Sequence, residues 1–204
     1  MKTNKLIIVL IFCIIVVAIG AFVSKSGETP TDGTDLVTEV ETLPSGRYVK
    51  VTATEAISED KIARKEWIIV HLSELEVLDE SGENIAKGKP VTGSSEWPDT
   101  HRFPRLTDGV ISSEDDRHDD NFASTHGTEE PRAHAFMTID LGEEKEIKTI
   151  KLHNRTSCCG ERAIGLKVEI LDESKQIVKE TPVISSDSKD YTFTFLTDTD
   201  WRIP

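Results

Sequence analysis

The sequence predicts an all-β domain, a sandwich or a barrel, in the part of the chain that follows residue 45. Many runs of about 5 to 8 residues are rich in Val, Ile, Thr and Phe, and turn-forming segments separate them. No amphipathic helix longer than two turns is visible. Short strands at this spacing are typical of antiparallel sheets rather than of βαβ units.

The candidate strands follow one another from Gly46 towards the end of the chain. The first is RYVKVTA, and the second lies in EWIIVHLSELEVLD, where Leu72, Leu75 and Val77 alternate with polar residues. The others are FMTIDL, EIKTIKLHN, LKVEILD, QIVKETPV and YTFTFL. The segments DESGEN, LGEEKE and SSDSKD are expected to break the strands. Residues 97–135 are long and polar, which is typical of a functional loop.

The charge of the chain argues against two classes of partner. Among the 204 residues, 37 are acidic and 24 are basic, and the formal net charge is −13. Nucleic acids and anionic lipid surfaces both favour Lys/Arg patches, so neither is expected to bind here. The length suits one domain of ordinary size with a tail.

The N-terminal part of the chain predicts a membrane anchor. Residues 6–23, LIIVLIFCIIVVAIGAFV, contain no charge and would span about 27 Å as a helix, close to the thickness of a bilayer core. Lys2 and Lys5 precede this run, so the positive-inside rule places residues 1–5 in the cytoplasm. We therefore interpret residues 6–23 as an uncleaved transmembrane signal-anchor.

A cleaved signal peptide is the alternative reading of the same segment, with Ala18 and Gly20 as small residues before the cut. Both readings place the rest of the chain in an extracellular or lumenal compartment, where disulfides persist. Residues 24–45 are rich in Ser, Thr, Gly, Pro and acidic residues and are expected to form a disordered stalk. Residues 46–204 would then form the folded domain.

The segment NRTSCCGER contains the two cysteines that lie outside the apolar N-terminal run. A bond between the neighbours Cys158 and Cys159 would close almost no loop and would contribute little stability, which points towards a role in function. Joined, the two sulfurs would form a small apolar surface flanked by the planar donor groups of Arg155 and Arg162. Such a surface suits one face of a sugar ring. The alternative is a pair of free thiols, either metal-binding or inert.

The same residues resemble a family. NRTSCCGER is similar to the N-R-x-x-C-C-x-x-R motif of the eel-agglutinin-like fucolectins, within the discoidin or coagulation-factor C-type group of galactose-binding-like domains. NIAKGKPVTGSS, LTDG and IDLGEEKEIKTIKLHNR are similar to further signatures of that family, in the same order. The resemblance covers about residues 46 to 200. It implies a galactose-binding-like jelly-roll β-sandwich.

The resemblance also implies a carbohydrate site. In the family two arginines and a histidine bind sugar hydroxyls, and a disulfide between adjacent cysteines packs on the ring. These roles fall on Arg155, Arg162, His126 and the Cys158–Cys159 disulfide. The paired tryptophans of the family are absent, because Phe136 and Met137 stand in their places.

The order of the segments departs from the family. GRYVKV and HLSELEVLD resemble the final hairpin of the family, yet they precede the N-terminal signature here. We interpret this as a circular permutation, which is tolerated because domain termini often lie close together. The alternative is that residues 46–79 are the remnant of a lost module. A sandwich without its hairpin would leave an exposed edge, which proteins usually avoid.

The resemblance further implies a structural calcium ion. Asp116, Asp119 and Asn121 reproduce the spacing of the family's ligands, and Ser73 and Glu74 align with the pair that the terminal strand supplies. Hard oxygen ligands in a loop suit Ca²⁺. The alternative is a solvated acidic run.

Other sites are less favoured by the sequence. His118, His126 and His134 recur every eight residues, but no pair has a usual zinc spacing. No catalytic constellation stands out, so the protein is not expected to be an enzyme. Asn154-Arg155-Thr156 is a formal glycosylation sequon, which we expect to be unused because a glycan would obstruct the proposed pocket.

Together these features predict a membrane-anchored lectin that binds fucosylated glycans without turnover. A single shallow sugar site binds weakly, so clustering or a homo-oligomer would be needed for avidity. One alternative is a protein-binding adhesion or structural module of the same fold without sugar specificity. Another is an accessory domain of a glycan-active enzyme carried on a partner chain.

Overall fold

The computed structural model describes residues 42–54, 69–97, 100–112, 121–126 and 135–196. The predicted cytoplasmic residues 1–5, the predicted anchor 6–23 and most of the predicted stalk lie outside these ranges, as do Asp116 and Asp119. Within the described ranges no helix combines the length and the apolar content needed to cross a membrane.

The described residues form nine strands and two short 3₁₀ helices. The strands are β1 (Ser45–Ala53), β2 (His71–Leu78), β3 (Val91–Gly93), β4 (Ala123–Ser124), β5 (Phe136–Glu146), β6 (Thr149–Asn154), β7 (Leu166–Leu171), β8 (Ile177–Glu180) and β9 (Asp190–Thr194). The 3₁₀ helices are Phe103–Leu106 and Gly160–Ala163. The predicted all-β class is confirmed.

The strands form two antiparallel sheets. The first has the order β3-β5-β1-β7-β8 and the second has the order β4-β2-β6-β9. The two N-terminal strands are interior strands, because β1 pairs with both β5 and β7, and β2 pairs with both β4 and β6. β1 and β2 thus complete the first and the second sheet, respectively. The circular permutation relative to the resembled family stays a prediction.

One hydrophobic core lies between the two sheets. In β6 buried and partly exposed residues alternate, so that Ile150 and Leu152 point inward. Val49 and Val51 of β1 and Ile139 of β5 belong to the same cluster, all without exposed surface. Full burial of such side chains contributes roughly 1.5–3 kcal/mol each. The period of two along the strands is therefore what orients the sheets face to face.

A β-bulge interrupts the alternation in β2. The register with β6 shifts between Leu72 and Glu74, and Leu72, Ser73, Glu74 and Leu75 are all fully buried. An extra residue in one strand re-aims the following side chains. The bulge thereby turns Ser73 and Glu74 towards the loop at 108–112 instead of towards solvent.

One predicted strand break is wrong. The segment LGEEKE was expected to separate two strands, but β5 continues through it to Glu146. The reason lies in β1, where Ser45 and Gly46 pair with Glu146 and Lys145 after a register shift. Gly142, at φ +94°, accommodates the irregularity. Pairing with a neighbour therefore prevails over turn-like composition.

The two ends of the sandwich differ in what they carry. At one end the N–H of Ile147 donates to the carbonyl of Pro44, and that of Phe195 donates to the carbonyl of Lys148. We call this the chain end, because the described chain begins and finishes there. The opposite end, where residues 155–165 cross from β6 to β7, is the loop end. The length of β6 separates them by about 20 Å.

Candidate functional site at the loop end

The disulfide loop begins where β6 finishes. Cys158 and Cys159 are bonded to each other, with their Cα atoms 3.8 Å apart. Cys159 has the left-handed backbone conformation, at φ +62°, and caps the 3₁₀ helix Gly160–Ala163. Cys158 is exposed and Cys159 is half-buried. The disulfide therefore presents an apolar sulfur surface to solvent at the loop end.

The guanidinium of Arg155 is held against an aromatic ring. Its carbon atom lies 4.3 Å from the ring centroid of Phe122, and its Nε donates to the hydroxyl of Ser157 at 2.6 Å. One terminal nitrogen lies 3.4 Å from Nε2 of His71. Since guanidinium only donates, His71 accepts through Nε2. These contacts fix the plane of the Arg155 side chain next to the disulfide.

His71 is a buried neutral base behind the arginines. Burial, and then the positive charges of Arg155 and Arg162, lower the pKa of His71 to about 3. The imidazole is 4% exposed, and its Nδ1 has no hydrogen-bond partner in the described part of the chain. A protonated ring would repel Arg155, so the arrangement requires the neutral form.

Arg162 lies in the last turn of the 3₁₀ helix and is half-buried. Its charge reaches His71, which places it on the same side of the domain as Arg155. Within the described ranges no hydrogen bond or ion pair engages its guanidinium. Arg162 thus carries a donor group that a ligand hydroxyl is able to use.

His126 lies at the rim, at the end of a series of rings. It is exposed, its N–H donates to the carbonyl of Ser95 at 2.9 Å, and its ring stacks on that of Trp97 with 5.2 Å between centroids. Trp97 neighbours His101 at 6.1 Å, and His101 stacks on Phe122 at 3.8 Å. The ring series therefore connects His126 with the aromatic surface beneath Arg155.

A surface pocket of about 380 Å³ adjoins the disulfide. Of the predicted sugar-binding residues, Arg155, Cys158 and Cys159 line it, whereas Arg162 and His126 do not. Its other lining residues are Thr156, Gly160, Glu161, Asp187, Ser188 and Lys189. The predicted set is thus only partly brought together around one concavity.

Sequence reasoning missed the rings at this site. Trp97, His101 and Phe122 all come from the long polar loop that was recognised only as functional in general. Three aromatic or imidazole side chains in a loop of mostly polar residues were the available signal. Their convergence depends on β2 and β4, which local pattern does not reveal.

The buried side chain of Asn154 connects two loop segments by hydrogen bonds. Its side chain is 2% exposed, and Nδ2 donates to the carbonyls of Gly160 and Ser188, both at 2.9 Å. A glycan would be attached to this nitrogen. In the folded domain the nitrogen is enclosed and fully engaged, which accords with the expectation that the sequon is unused.

Three of the predicted calcium ligands converge on the loop at 108–112. The N–H of Gly109 donates to both carboxylate oxygens of Glu74 at 3.2 Å, and the N–H of Ser112 donates to the hydroxyl of Ser73 at 2.7 Å. The amide of Asn121 donates to the carbonyl of Val110 at 2.8 Å. The bulge in β2 therefore positions the pair that the sequence singled out.

The buried carboxyl of Glu74 suits a nearby cation, whereas the side-chain oxygen of Asn121 already has a partner. Burial raises the pKa of Glu74 to about 8, and the Gly109 N–H offsets this only in part. The Asn121 oxygen accepts from Arg105 at 3.2 Å and would have to exchange that partner for a cation. Among the described residues, no group of three His, Cys, Asp or Glu side chains is placed to hold a metal ion.

Comparison with known proteins agrees with the architecture. Residues 106–203 match the family model of the F5/F8 type C group that is described as a NedA-like, galactose-binding domain. No curated protein matches the chain. The fucolectin resemblance is thus supported only at the level of this broader group, which indicates binding of carbohydrate or protein. Over residues 106–203 the chain is similar to galactose-binding-like F5/F8 type C domains, and its sandwich of two antiparallel sheets is consistent with that fold.

Proposed function

We propose that the domain is a lectin that binds a fucose-like unit of a glycan at the loop end, without turnover. The observation that carries this proposal is the exposed Cys158–Cys159 disulfide beside the guanidinium of Arg155, which Phe122, Ser157 and His71 hold in place. An apolar surface next to fixed donors matches a sugar ring, which has C–H groups on its faces and hydroxyls on its rim.

Each side chain has a distinct role in the proposed complex. The sulfurs contact the C–H face of the ring, and Arg155 and Arg162 donate to its hydroxyls. His126 donates from the rim, where Trp97 adds an aromatic surface. Because guanidinium is a planar fork that stays charged, it discriminates between orientations of neighbouring hydroxyls.

Calcium is the proposed structural ion of the domain, with Glu74 as its principal ligand and Ser73, Asn121, Asp116 and Asp119 as further ligands. The support is the fully buried carboxyl of Glu74, which at neutral pH needs either a proton or a nearby cation. A cation bound only by the folded state raises Tm. We expect calcium to raise Tm, a chelator to lower it, and Glu74→Gln to abolish the response. An equal response in that variant would contradict the assignment.

Residues 6–23 are proposed to anchor the protein in a membrane, with the domain extracellular or lumenal. The chain that precedes residue 42 joins the sandwich at the chain end, about 20 Å from the disulfide loop. Clustering of anchored copies, or a homo-oligomer, would supply the avidity that one shallow site lacks.

The test is glycan binding by the full-length protein in detergent. We expect retention on fucosylated glycans and loss of at least about tenfold in affinity for Arg162→Ala, equivalent to about 1.4 kcal/mol. Arg162→Lys, which keeps the charge but not the fork, should fall between the two. Arg47→Ala at the chain end is the matched control and should bind normally.

The same experiment also distinguishes glycan binding from protein binding. Retention of a protein ligand with no glycan bound at all would favour an adhesion module of the same fold. Unchanged glycan affinity in Arg162→Ala would refute the role assigned to Arg162, even if the domain proved to be a lectin.

A further inference from the structure

The Cys158–Cys159 disulfide is open to chemical attack as well as to a ligand. Cys158 is exposed, Cys159 is half-buried, and both line the surface pocket at the loop end. A disulfide is cleaved when a thiolate attacks one of its sulfurs, and the rate depends on access to that sulfur. Of the two residues, Cys158 offers the better access, which makes Cys159 the leaving group.

Cleavage of this bond would cost the fold little. A bond between neighbours closes almost no loop, so it contributes little to the free energy of unfolding. Other contacts hold the surrounding segment in place. The side-chain amide of Asn154 donates to the carbonyls of Gly160 and Ser188 at 2.9 Å each, and the N–H of Gly165 donates to the carbonyl of Ile184 at 2.8 Å. Both ends of the disulfide loop therefore stay fixed when the bond opens.

The backbone of Cys159 depends on the bond more than its surroundings do. Cys159 has the left-handed conformation, at φ +62°, which is unfavourable for a residue other than glycine. Such a conformation persists only where neighbouring structure enforces it. The bond to Cys158 restricts rotation about the peptide that joins the two cysteines. Once the bond is broken, this restriction on Cys159 is lost.

A change at Cys159 reaches a residue of the proposed sugar site. The carbonyl of Cys159 accepts from the N–H of Arg162 at 3.1 Å, at the start of the 3₁₀ helix Gly160–Ala163. Rotation of the Cys159 backbone redirects that carbonyl and shifts the guanidinium of Arg162. The two sulfurs change as well, because separate thiols rotate independently and no longer form one apolar surface. Cleavage thus removes the surface and displaces a donor together.

We propose that the Cys158–Cys159 bond is a reversible redox switch on sugar binding, operated by a dithiol reductant. A thiolate of the reductant attacks Sγ of Cys158, the bond between the cysteines breaks, and Sγ of Cys159 leaves with the electron pair and takes up a proton. The second thiol of the reductant then displaces Cys158 from the mixed disulfide. The protein gains two thiols, and the dithiol is oxidised to a cyclic disulfide.

The oxidised form binds the sugar and the reduced form releases it, while the sandwich stays folded in both. This inference rests on the proposed lectin function, and it names a means of regulating the same site.

The experiment uses the full-length Cys13→Ala protein in detergent, so that every thiol counted comes from Cys158 or Cys159. Affinity for methyl α-L-fucoside is measured before treatment with dithiothreitol, after it, and after reoxidation with oxidised glutathione. We expect two thiols to appear per chain, affinity to fall at least about tenfold, and reoxidation to restore it. Tm should fall by no more than about 4 °C, because almost no loop is opened.

The position of attack is measured separately. Brief exposure to reduced glutathione, followed by alkylation with iodoacetamide, should leave glutathione on Cys158 and the alkyl group on Cys159, as read by peptide mass spectrometry. Cys158→Ala/Cys159→Ala in the Cys13→Ala background is the control. It contains no thiol, so dithiothreitol should not change its affinity or its Tm.

Unchanged sugar affinity after both thiols have appeared would overturn the switch, and so would a disulfide that resists dithiothreitol. Unfolding on reduction would also overturn it, since the bond would then be a structural crosslink. Glutathione on Cys159 would contradict the assigned direction of attack. Absence of sugar binding by the oxidised protein would refute the lectin function and the switch with it, and the thiol count distinguishes this result from a bond that cannot be reduced.

Discussion

The two ends of the sandwich carry concavities of very different chemistry. At the chain end a pocket of about 710 Å³ lies between the turn that follows β2 and the end of β5. Carboxylates dominate its lining, namely Asp79, Glu80, Glu83, Glu144 and Glu146, with Lys145 as the one basic residue among the described residues that line it. At the loop end the pocket beside the disulfide is about half that size. The smaller pocket holds the fixed donors and the apolar surface.

The proposed site is therefore at the smaller of these two pockets, and its assignment depends on chemistry instead of size. A second chain-end groove, of about 590 Å³, is lined by Leu43, Val178 and Leu196 among others. Val178 and Leu196 are 45% and 62% exposed. Recognition of a sugar needs oriented donors, and the described residues provide them at the loop end.

The largest effect on the loop end is expected when the disulfide is removed. In Cys158→Ala/Cys159→Ala we expect sugar affinity to fall more than tenfold, or by more than about 1.4 kcal/mol. Stability should hardly change, because a bond between neighbours closes almost no loop. Binding isotherms and thermal unfolding of the same samples would test both statements.

The reverse result would be equally informative. Retained binding by the cysteine-free variant would show that the sulfurs do not contact the sugar. A large loss of Tm would assign them a structural role, and Arg47→Ala at the chain end would serve as the reference for the loss of a partly exposed ion pair.

Much of the fold could be predicted because its strands follow local rules. The alternation in β6 and the apolar content of β1, β5 and β7 identified these strands from sequence alone. Pairing across the sheet was not visible in the same way. LGEEKE has the composition of a turn, yet Ser45 and Gly46 of β1 extend β5 through it.

The candidate site also has a part that local sequence predicts and a part that depends on strand pairing. NRTSCCGER is a local motif, so its arginines and cysteines could be proposed as candidates without a structure. The ring surface under Arg155 could not, because Phe122 and His71 belong to segments that meet only when β2 pairs with β4. The spacing of Leu72, Leu75 and Val77 contained a sign of the bulge, since the first two inward positions are three positions apart along the chain instead of two.

A second prediction concerns acidification, which should affect the loop end first. The folded-state pKa of His71 is about 3, below its ordinary value of 6.5, so the unfolded chain binds more protons between these values. The contribution to stability is complete above about pH 6.5 and is lost as the pH falls towards 3. One group gives a slope of at most about 1.4 kcal/mol per pH unit.

Denaturant unfolding between pH 7 and pH 4.5, in buffer containing calcium, measures this slope. His71→Gln, which keeps an acceptor for Arg155 but does not titrate, should give a flatter dependence. A slope as steep as that of the unmodified protein would show that another group is responsible.

The smallest predicted effect belongs to the chain end, where Arg47 and Asp140 form an ion pair at 3.0 Å. The hydrogen bond from Arg47 lowers the pKa of Asp140 below its ordinary value of 3.8. The resulting stability is therefore present above about pH 3.8 and is lost only in stronger acid, a window distinct from that of His71. Because both side chains are partly exposed, Asp140→Asn should cost less than about 1 kcal/mol at neutral pH.

Asp140→Asn should also leave sugar affinity unchanged, since the ion pair lies at the opposite end of β1 from the disulfide loop. Unfolding curves at pH 7 and pH 3, together with binding isotherms at pH 7, test the three expectations. If the variant altered sugar affinity while remaining folded, the two ends of the sandwich would be coupled through β1. The assignment of separate roles to the loop end and the chain end would then be wrong, because a change at the chain end would alter binding at the loop end.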